Sequence, residues 1–307
     1  MSGRGKTPSE RGNFSEHRAE TVGNHAGEAT GGSSGPPHAG RLPSHPVQQH
    51  EAAVMMKPMV NDADERPSRL DSPSVSRRPS IKIGNWPNDP TVALLTTVDY
   101  DAEVDANDLA SAVERACSMR YRLIRTGAFH SSAADLAIDI GFHCIDELML
   151  LERSLDREPS RRSTHRLRPL RRRHYRDASM IDLAAFGPRW ANDVAAIADA
   201  CNATPRSRAI RASSRTNAVL GYAVTGVSNS IGYLQRLAVD PREQRQRVGT
   251  GLVDDGVRWM RRQGAERALV NTSVHNDAAI ALYLTAGFVD TGDRLHVLEW
   301  DPARQPQ

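Results

Sequence analysis

One unit near the C-terminus constrains the fold more than any other stretch, because a strand-like run, a glycine-containing turn and an amphipathic helix follow each other directly. The run is Tyr233–Val239, and the turn Gln246-Arg247-Val248-Gly249-Thr250-Gly251 leads into a helix that ends near Gly264. Along one face of this helix, at helical spacing, lie Leu252, Val253, Val257 and Met260. A glycine turn at a helix start can present bare backbone N–H groups to a phosphate. The unit predicts an α/β fold with an anion site.

The rest of the C-terminal half alternates between strand and helix patterns. We predict strands at Thr164–Leu170, Arg208–Ser213, Ala218–Thr225 (broken at Gly226), Tyr233–Val239, Ala268–Thr272 and Arg294–Trp300. We predict helices at Asp177–Phe186, Asn192–Cys201, Gly249–Gly264 and Asn276–Ala286. The predicted order is β-α-α-β-β-β-α-β-α-β.

A shorter β-α-β-α-β order precedes it. Its predicted elements are a strand at Thr91–Val98, a helix capped by Asn107, a strand at Tyr121–Thr126, a helix at Ser132–Ile140 and a strand at Cys144–Leu151. His130-Ser131-Ser132-Ala133-Ala134 and Gly141-Phe142 parallel His275-Asn276-Asp277-Ala278-Ala279 and Gly287-Phe288, and Leu148–Glu152 parallels Leu295–Glu299. This echo predicts a duplication whose first copy lacks the glycine turn.

Composition divides the chain into four parts. Residues 1–80 are rich in Gly, Ser, Pro, His and Arg, so we expect a disordered tail. We predict a degenerate lobe over 81–153, an arginine-rich linker over 154–163 and the main domain over 164–302. The arginines between Arg153 and Arg176 suit either a nucleic-acid patch or a solvated linker and edge strand. We favour the second, because no aromatic residues interleave with them.

Bulk properties exclude several classes of protein. A net charge of +3 argues against nucleic acid as the main partner. Cys117, Cys144 and Cys201 have neither disulfide nor zinc spacing, which favours a reducing cytoplasm and no metal site. No run reaches membrane-spanning length. The oligomeric state cannot be read from the sequence.

The motif string as a whole resembles the GCN5-related N-acetyltransferase (GNAT) family over Thr164–Trp300. The resemblance is carried by Gln246-x-x-Gly249-x-Gly251, preceded by Leu237-Ala238-Val239 and followed by Asn276…Tyr283…Gly287-Phe288. It implies the acyl-CoA N-acyltransferase fold, a mixed α/β (α+β) sheet, with a truncated second lobe of the same kind. It also implies that acetyl-CoA is the co-substrate and a primary amine the acceptor.

The resemblance assigns roles to particular residues. Acetyl-CoA is expected to contact Leu237, Ala238, Val239, Arg245, Gln246, Arg247, Val248, Gly249, Thr250, Gly251, Asn276 and Tyr283. Gly249 and Gly251 would let phosphate oxygens approach backbone N–H groups, and Tyr283 would protonate the departing thiolate. The alternatives are an ordinary strand-to-helix turn, an Asn276 that is only a helix cap, and a Tyr283 that is only a core aromatic.

The predicted site departs from the family pattern at the general base. Family members often carry a glutamate where this chain has Gln235 and Asn271, so we name these residues and His275 as candidates for a proton relay. At pH 7 a lysine amine costs about 4–5 kcal/mol to neutralise and an α-amine only about 1, which favours an α-amine acceptor. Trp190 and Tyr222 would line the acceptor pocket or belong to the core. A non-catalytic acetyl-CoA-binding protein, a ribosomal-protein N-terminal acetyltransferase and a mycothiol-completing enzyme all fit.

Overall fold

The computed structural model describes residues 80–97, 104–159 and 163–304, and all their strands join one mixed sheet of eleven strands. The strands are β1 (Ile81–Trp86), β2 (Asp89–Thr97), β3 (Leu123–Thr126), β4 (Phe129–His130), β5 (His143–Ser154), β6 (Arg166–Pro169), β7 (Arg206–Ser213), β8 (Val219–Ser228), β9 (Ile231–Val239), β10 (Arg267–Ser273) and β11 (Val289–Trp300). Their spatial order is β1-β2-β3-β11-β5-β10-β9-β8-β7-β6, with β4 also pairing with β11. The predicted tail lies outside the described residues, apart from Ser80, and so does part of the predicted linker.

Six α-helices connect these strands. They are α1 (Ala106–Ser118), α2 (Ser131–Asp139), α3 (Tyr175–Trp190), α4 (Val194–Cys201), α5 (Val248–Arg262) and α6 (Asp277–Thr285). Gly187, at φ +71°, breaks the regular geometry of α3 near its end. None of the helices in the described part of the chain is both long and apolar enough to cross a membrane.

The element order predicted for the C-terminal half is confirmed from β6 to β11. Two local predictions are wrong. β8 continues through Gly226 to Ser228, because Gly226 pairs in register with Tyr233 of β9. The cap of α1 is Asp105, whose side chain accepts from the Asp108 N–H, and Asn107 lies inside the helix. β1 was not predicted.

The two halves of the chain repeat one arrangement around the centre of the sheet. β2 and β3 pair in parallel in the first half, as β9 and β10 do in the second. β5 and β11 are antiparallel neighbours, and Leu148 lies directly opposite Leu295. These two leucines occupy equivalent places in the sequence echo. In this register, the two predicted copies are related by a local two-fold axis between β5 and β11.

Strand alternation separates two faces of the sheet. On β5, Leu151 faces a core formed with α5 and α6, whereas Leu150 faces a cluster that spans both halves. On β2, Leu95 faces α1 and α2, whereas Val92 joins the same spanning cluster as Leu150. α1, α2, α5 and α6 thus cover one face. α3 and α4 lie on the other, where Trp190 contacts both their own core and the spanning cluster.

β5 comes from the first half of the chain but lies between β10 and β11 of the second. It pairs with β10 along Leu148–Ser154 and with β11 along much of its length. The described residues of both halves belong to one compact unit. The boundaries at 81–153 and 164–302 stay a prediction, and the sheet runs through both segments.

Candidate active site

A wedge-shaped opening separates β9 from β10 in the middle of the sheet. The two strands pair in parallel only where Ile231–Tyr233 faces Arg267–Leu269. From Leu234 to Val239, β9 pairs with β8 on one edge, and no ladder to β10 forms within the described residues. Backbone N–H and C=O groups are strong obligatory hydrogen-bonding groups, so this edge suits an extended ligand.

A bulge in β9 marks the start of the opening. Leu234 lies opposite Thr225 and Arg236 lies opposite Val224, so Gln235 is the extra residue. Bulges bend a strand and redirect side chains, and they are frequent beside active sites. The strand is therefore bulged at the point where its pairing with β10 ends. Beyond the bulge, Leu237 and Val239 contact the α5 side of the sheet and Ala238 the α3 side.

The N-terminus of α5 points its first N–H groups toward the same end of β9. The helix begins at Val248, and its cap residue Arg247 makes no side-chain cap hydrogen bond. In contrast, Asp193 caps α4 and Asn276 caps α6 through their side chains. The first N–H groups of a helix have no partner inside it, and the helix dipole adds positive potential there. This end of α5 can hold an anion.

The turn before α5 is made by arginines and not by the glycines of the motif. Arg245 and Arg247 adopt left-handed backbone conformations with φ +58° and +63°. Such conformations are uncommon for residues other than glycine and are found at functional sites. The side chains of Arg245, Gln246 and Arg247 are exposed, and the Gln246 carbonyl oxygen accepts from His165 Nε2 at 2.7 Å.

The two motif glycines have different surroundings. A Cβ on Gly249 would lie 3.1 Å from Leu282 Cδ2 and 3.7 Å from Val239 Cγ2, where α5, α6 and β9 meet. Gly251 lies inside the helix, and its N–H donates to the Arg247 carbonyl oxygen at 3.1 Å. The Gly251 N–H is therefore used within the helix, and the predicted contact of Gly251 with acetyl-CoA stays a prediction. Its missing side chain makes room for Ser163, whose Oγ would lie 2.3 Å from an added Cβ.

The second predicted motif starts where β10 ends. Asn276 is buried and caps α6, with its Oδ1 accepting from the Ala279 N–H at 2.9 Å. Its predicted role as a helix cap is confirmed. Tyr283 is only 2% exposed and lies 5.8 Å from the Phe288 ring, between ring centres. It therefore belongs to the core beneath α5, in the cluster that contains Leu282 and Val248.

Amide side chains occupy the two strands where the resemblance led us to expect a glutamate. Both polar atoms of the Gln235 side chain and the Asn271 Nδ2 atom are buried without a hydrogen-bond partner among the described residues. Neither amide titrates. His275, the third candidate, is exposed directly after β10. Unpaired buried polar atoms are uncommon in native structures, and they indicate a missing ligand or water.

A buried ion pair fixes α3 against the bulged strand, and sequence reasoning missed it. Asp182 accepts from Arg236 Nε at 3.0 Å, from the Asn192 N–H at 2.6 Å and from the Tyr222 hydroxyl. Tyr222 is fully buried, so its alternative role as a core residue holds. Burial and the Asp182 charge raise the pKa of the Tyr222 hydroxyl. The only signal in the sequence was two charged residues inside otherwise apolar segments.

Trp190 contacts residues from both halves of the chain. Its ring lies edge-on to Trp86, 5.6 Å away between ring centres, and Arg189 stacks over it at 5.4 Å. The Trp86 indole N–H donates to the Arg189 carbonyl oxygen at 2.9 Å. Trp190 is half-buried, so it lies at the margin of the sheet face that also carries Asn271.

A carboxylate from the first half of the chain lies beside the end of β10. Asp146 of β5 accepts from Ser273 Oγ at 2.8 Å. Burial raises the pKa of the Asp146 carboxyl above its ordinary value, against the opposing effect of the Ser273 hydrogen bond. The two residues are 127 positions apart, and no spacing rule connects them.

Comparisons with known proteins concern the family and the fold. Residues 175–288 match the family model described as Acetyltransferase (GNAT) family. The chain is similar to a tandem GNAT protein from the clavulanic acid biosynthesis pathway, with TM-score 0.52, 16% identity and coverage of 71% of this chain and 76% of that one. It is also similar to a putative acetyltransferase from Pyrococcus horikoshii, with TM-score 0.50, 14% identity and coverage of 72% and 68%. At these identities the two structures show the fold alone. No curated protein matches the chain in sequence.

Proposed function

We propose that this protein moves an acetyl group from acetyl-CoA to a primary amine, because residues 175–288 match the model of the GNAT acetyltransferase family. The observation that carries the proposal is the opening between β9 and β10, which the N-terminus of α5 flanks. An extended arm fits beside unpaired strand edges, and a diphosphate fits at an uncapped helix end. One narrow opening thus suits both parts of a coenzyme A molecule.

The chain's own residues fit this co-substrate. The N–H groups of Val248, Gly249 and Thr250 stand at the positive end of α5, and Arg245 and Arg247 add charge beside them. Leu237, Ala238 and Val239 would offer backbone groups to the pantetheine arm. A backbone N–H beside the bulge at Gln235 would polarise the thioester carbonyl.

The proposed reaction is direct attack by a neutral amine in a ternary complex. The amine nitrogen forms a bond with the thioester carbonyl carbon, and the carbon–sulfur bond breaks. Tyr283 gives its hydroxyl proton to the departing thiolate and regains a proton from the attacking nitrogen. The role is proposed from the family resemblance, and Tyr283 packs in the cluster that includes Val248 of the first turn of α5.

The acceptor is proposed to be a protein N-terminal α-amine or the amine of a small molecule. A mycothiol-completing enzyme is one small-molecule variant, and the repeated β-α-β-α-β order of the two halves favours it. We propose the cytoplasm as the compartment, because the three cysteines are unpaired in the structure.

A non-catalytic acetyl-CoA-binding protein is the second candidate. The burial of Tyr283 and the amide side chains of Gln235 and Asn271 favour it. The experiment that separates the two functions measures thiol release from acetyl-CoA with a panel of peptides and small amines. An enzyme releases coenzyme A only when a suitable amine is present, whereas a binding protein releases none with any amine.

The Tyr283→Phe variant tests the mechanism. Phenylalanine keeps the ring contact with Phe288 but removes the proton donor, so kcat should fall about 100-fold while acetyl-CoA affinity is unchanged. The matched control is Tyr175→Phe, which removes a hydroxyl that donates to Cys201 Sγ on α4. The control should keep full turnover. Equal turnover of Tyr283→Phe and the unmodified protein would exclude Tyr283 from the reaction.

A further inference from the structure

Asp146 lies near the C-terminal end of β10, the end at which β10 no longer pairs with β9. On β5, Asp146 is on the same side of the strand as Leu148 and Leu150, which face the cluster that spans both halves. Val297 pairs with Asp146 and Leu298 pairs with Cys144, so Ile145 is an extra residue in β5. This second bulge lies directly beside Asp146, and bulges redirect neighbouring side chains.

Only one of the two carboxylate oxygens of Asp146 accepts a side-chain hydrogen bond. Oδ1 accepts from Ser273 Oγ, which fixes the orientation of the side chain. Oδ2 is buried and has no hydrogen-bond partner among the described residues. A buried carboxylate oxygen without a partner is costly, so an unpaired Oδ2 indicates a group that is absent from the structure.

Neighbouring groups favour an acceptor role for Asp146. The charged groups that face it are His275, which follows β10, and Arg189, near the end of α3. The Cys144 thiol and Glu147 lie close on its own strand. The pKa of the Asp146 carboxyl is raised chiefly by burial, while Ser273, the Glu147 N–H, His275 and Arg189 all lower it. A carboxylate with a raised pKa is a stronger base than an ordinary aspartate.

Asp182, a buried carboxylate on this face, has no oxygen left to contact an acceptor amine. Both of its oxygens are hydrogen-bonded, to Arg236, Tyr222 and the Asn192 N–H. Gln235 and Asn271 do not titrate. Among the charged groups described on this side of the opening, Asp146 is the carboxylate with a free oxygen.

We propose that Asp146 is the catalytic base, supplied by the first half of the chain to the site of the second. The inference rests on the proposed function. The acceptor ammonium gives one proton to the Asp146 carboxylate, and the neutral nitrogen then attacks the thioester carbon. Coenzyme A leaves as a thiol, and Asp146 returns its proton to solvent. The sum is one ammonium and one acetyl-CoA converted into one amide, one free thiol and one proton.

The first test compares Asp146→Asn with Glu147→Gln in the full chain, using the amine that gives the highest turnover. Glu147 is the exposed neighbour of Asp146, and its carboxylate lies 3.7 Å from Arg294 Nε. We expect Asp146→Asn to lower kcat by about 100- to 1,000-fold and Glu147→Gln to leave it unchanged. The residual activity of Asp146→Asn should rise about tenfold per pH unit up to the pKa of the acceptor amine, because only neutral amine then reacts.

The second readout is thermal stability, which separates a catalytic role from a structural one. A carboxyl whose pKa is raised on folding destabilises the folded state once it is ionised. That cost grows as pH rises from the ordinary value of 3.8 to the folded-state pKa. Asp146→Asn should therefore melt at a higher temperature than the unmodified protein at pH 7. The difference should vanish below pH 3.8.

Three outcomes would overturn the inference. Unchanged turnover of Asp146→Asn would exclude Asp146 as the base while leaving the proposed function intact. A lower melting temperature at pH 7, together with lost turnover, would make Asp146 a structural residue. No thiol release by the unmodified protein with any amine would overturn both the proposed function and this inference.

Discussion

Single residues at the start of α5 determine whether an anion can approach it. Gly249 lies in the first turn, where its missing side chain leaves space beside Leu282 and Val239. Gly251, two residues later, is already inside the helical hydrogen-bond ladder. The same residue type thus has a proposed binding role at one position and a packing role at the other.

The different surroundings of the two glycines predict that alanine weakens coenzyme A binding at one position and not at the other. Gly249→Ala should weaken coenzyme A binding about tenfold, because the new methyl group enters the space between α5, α6 and β9. Its fold should be kept, since the new Cβ meets only the flexible end of Leu282 at 3.1 Å and alanine is favoured over glycine within a helix by about 1 kcal/mol. Gly251→Ala should leave binding unchanged, with its effect limited to packing against Ser163.

Calorimetric titration with coenzyme A measures both affinities, and Gly84→Ala is the control. A methyl group on Gly84 would meet nothing within 4 Å, so this variant should match the unmodified protein. Equal loss of affinity in Gly249→Ala and Gly251→Ala would contradict the assignment of the anion site to the first turn.

At the residue scale, the sequence predicted the role of a helix cap better than the backbone conformation of a turn. Asn276 was correctly predicted as the cap of α6, because an Asn before an Asp-Ala-Ala run is a strong local signal. The left-handed backbone at Arg245 and Arg247 was not predictable, since arginine carries no preference for positive φ. The partnership of Asp146 and Ser273 depends on strand order, which no local pattern encodes.

At the scale of elements, the ion pair between Asp182 and Arg236 joins α3 to the bulged part of β9. Both side chains are essentially buried, with exposures of 0% and 1%. Burial lowers the pKa of the Arg236 guanidinium, but the Asp182 charge outweighs it, and the net shift is upward. The Arg236 guanidinium therefore stays charged, and its hydrogen bonds to Asp182 hold α3 against the edge of the opening.

Removing one partner of this pair should cost much more than removing a surface partner. Asp182→Asn should lower the free energy of unfolding by about 3–5 kcal/mol, because it leaves a buried guanidinium uncompensated. The matched control is Asp89→Asn, which breaks the exposed pair with Arg122 and should cost less than about 1 kcal/mol. Urea denaturation monitored by circular dichroism measures both. Similar midpoints for the two variants would contradict the burial of the Asp182–Arg236 pair.

The element order of the C-terminal half followed from hydrophobic period and turn residues, because long elements such as β9 and α5 carry a clear period and Gly, Pro, Asn or Asp lie near most of their ends. β1 escaped prediction since Ile81–Trp86 contains Gly84 and two polar residues, and its stability comes from pairing with β2. The splay between β9 and β10 could not be predicted from local patterns, because it is a property of two strands and not of either sequence.

At the scale of the whole molecule, the two halves share strands at the centre of the sheet. β5 of the first half covers the edge of β10, and β11 of the second half pairs with β3 of the first. Arg125 and Glu299 form an ion pair of 2.7 Å across that second contact. Each half therefore supplies a strand that pairs with a strand edge of the other half.

This exchange predicts that residues 164–302 cannot fold alone. Without β5, the edge of β10 and the apolar side chains of Val270 and Leu295 would lose their cover. A fragment of these residues should show no cooperative thermal transition, whereas the full chain should show one. Differential scanning calorimetry of both proteins at equal concentration is the measurement. A cooperative transition in the fragment would contradict the dependence of the second half on β5.

We propose that the opening between β9 and β10 and the first turn of α5 together hold coenzyme A. Titration of the full chain with coenzyme A, followed by calorimetry and by thermal melting, tests it most directly. We expect saturable binding at one site per chain and a stabilisation of about 2.7 kcal/mol when the ligand is at 100 times its Kd. No heat and no shift in Tm at millimolar coenzyme A would contradict it.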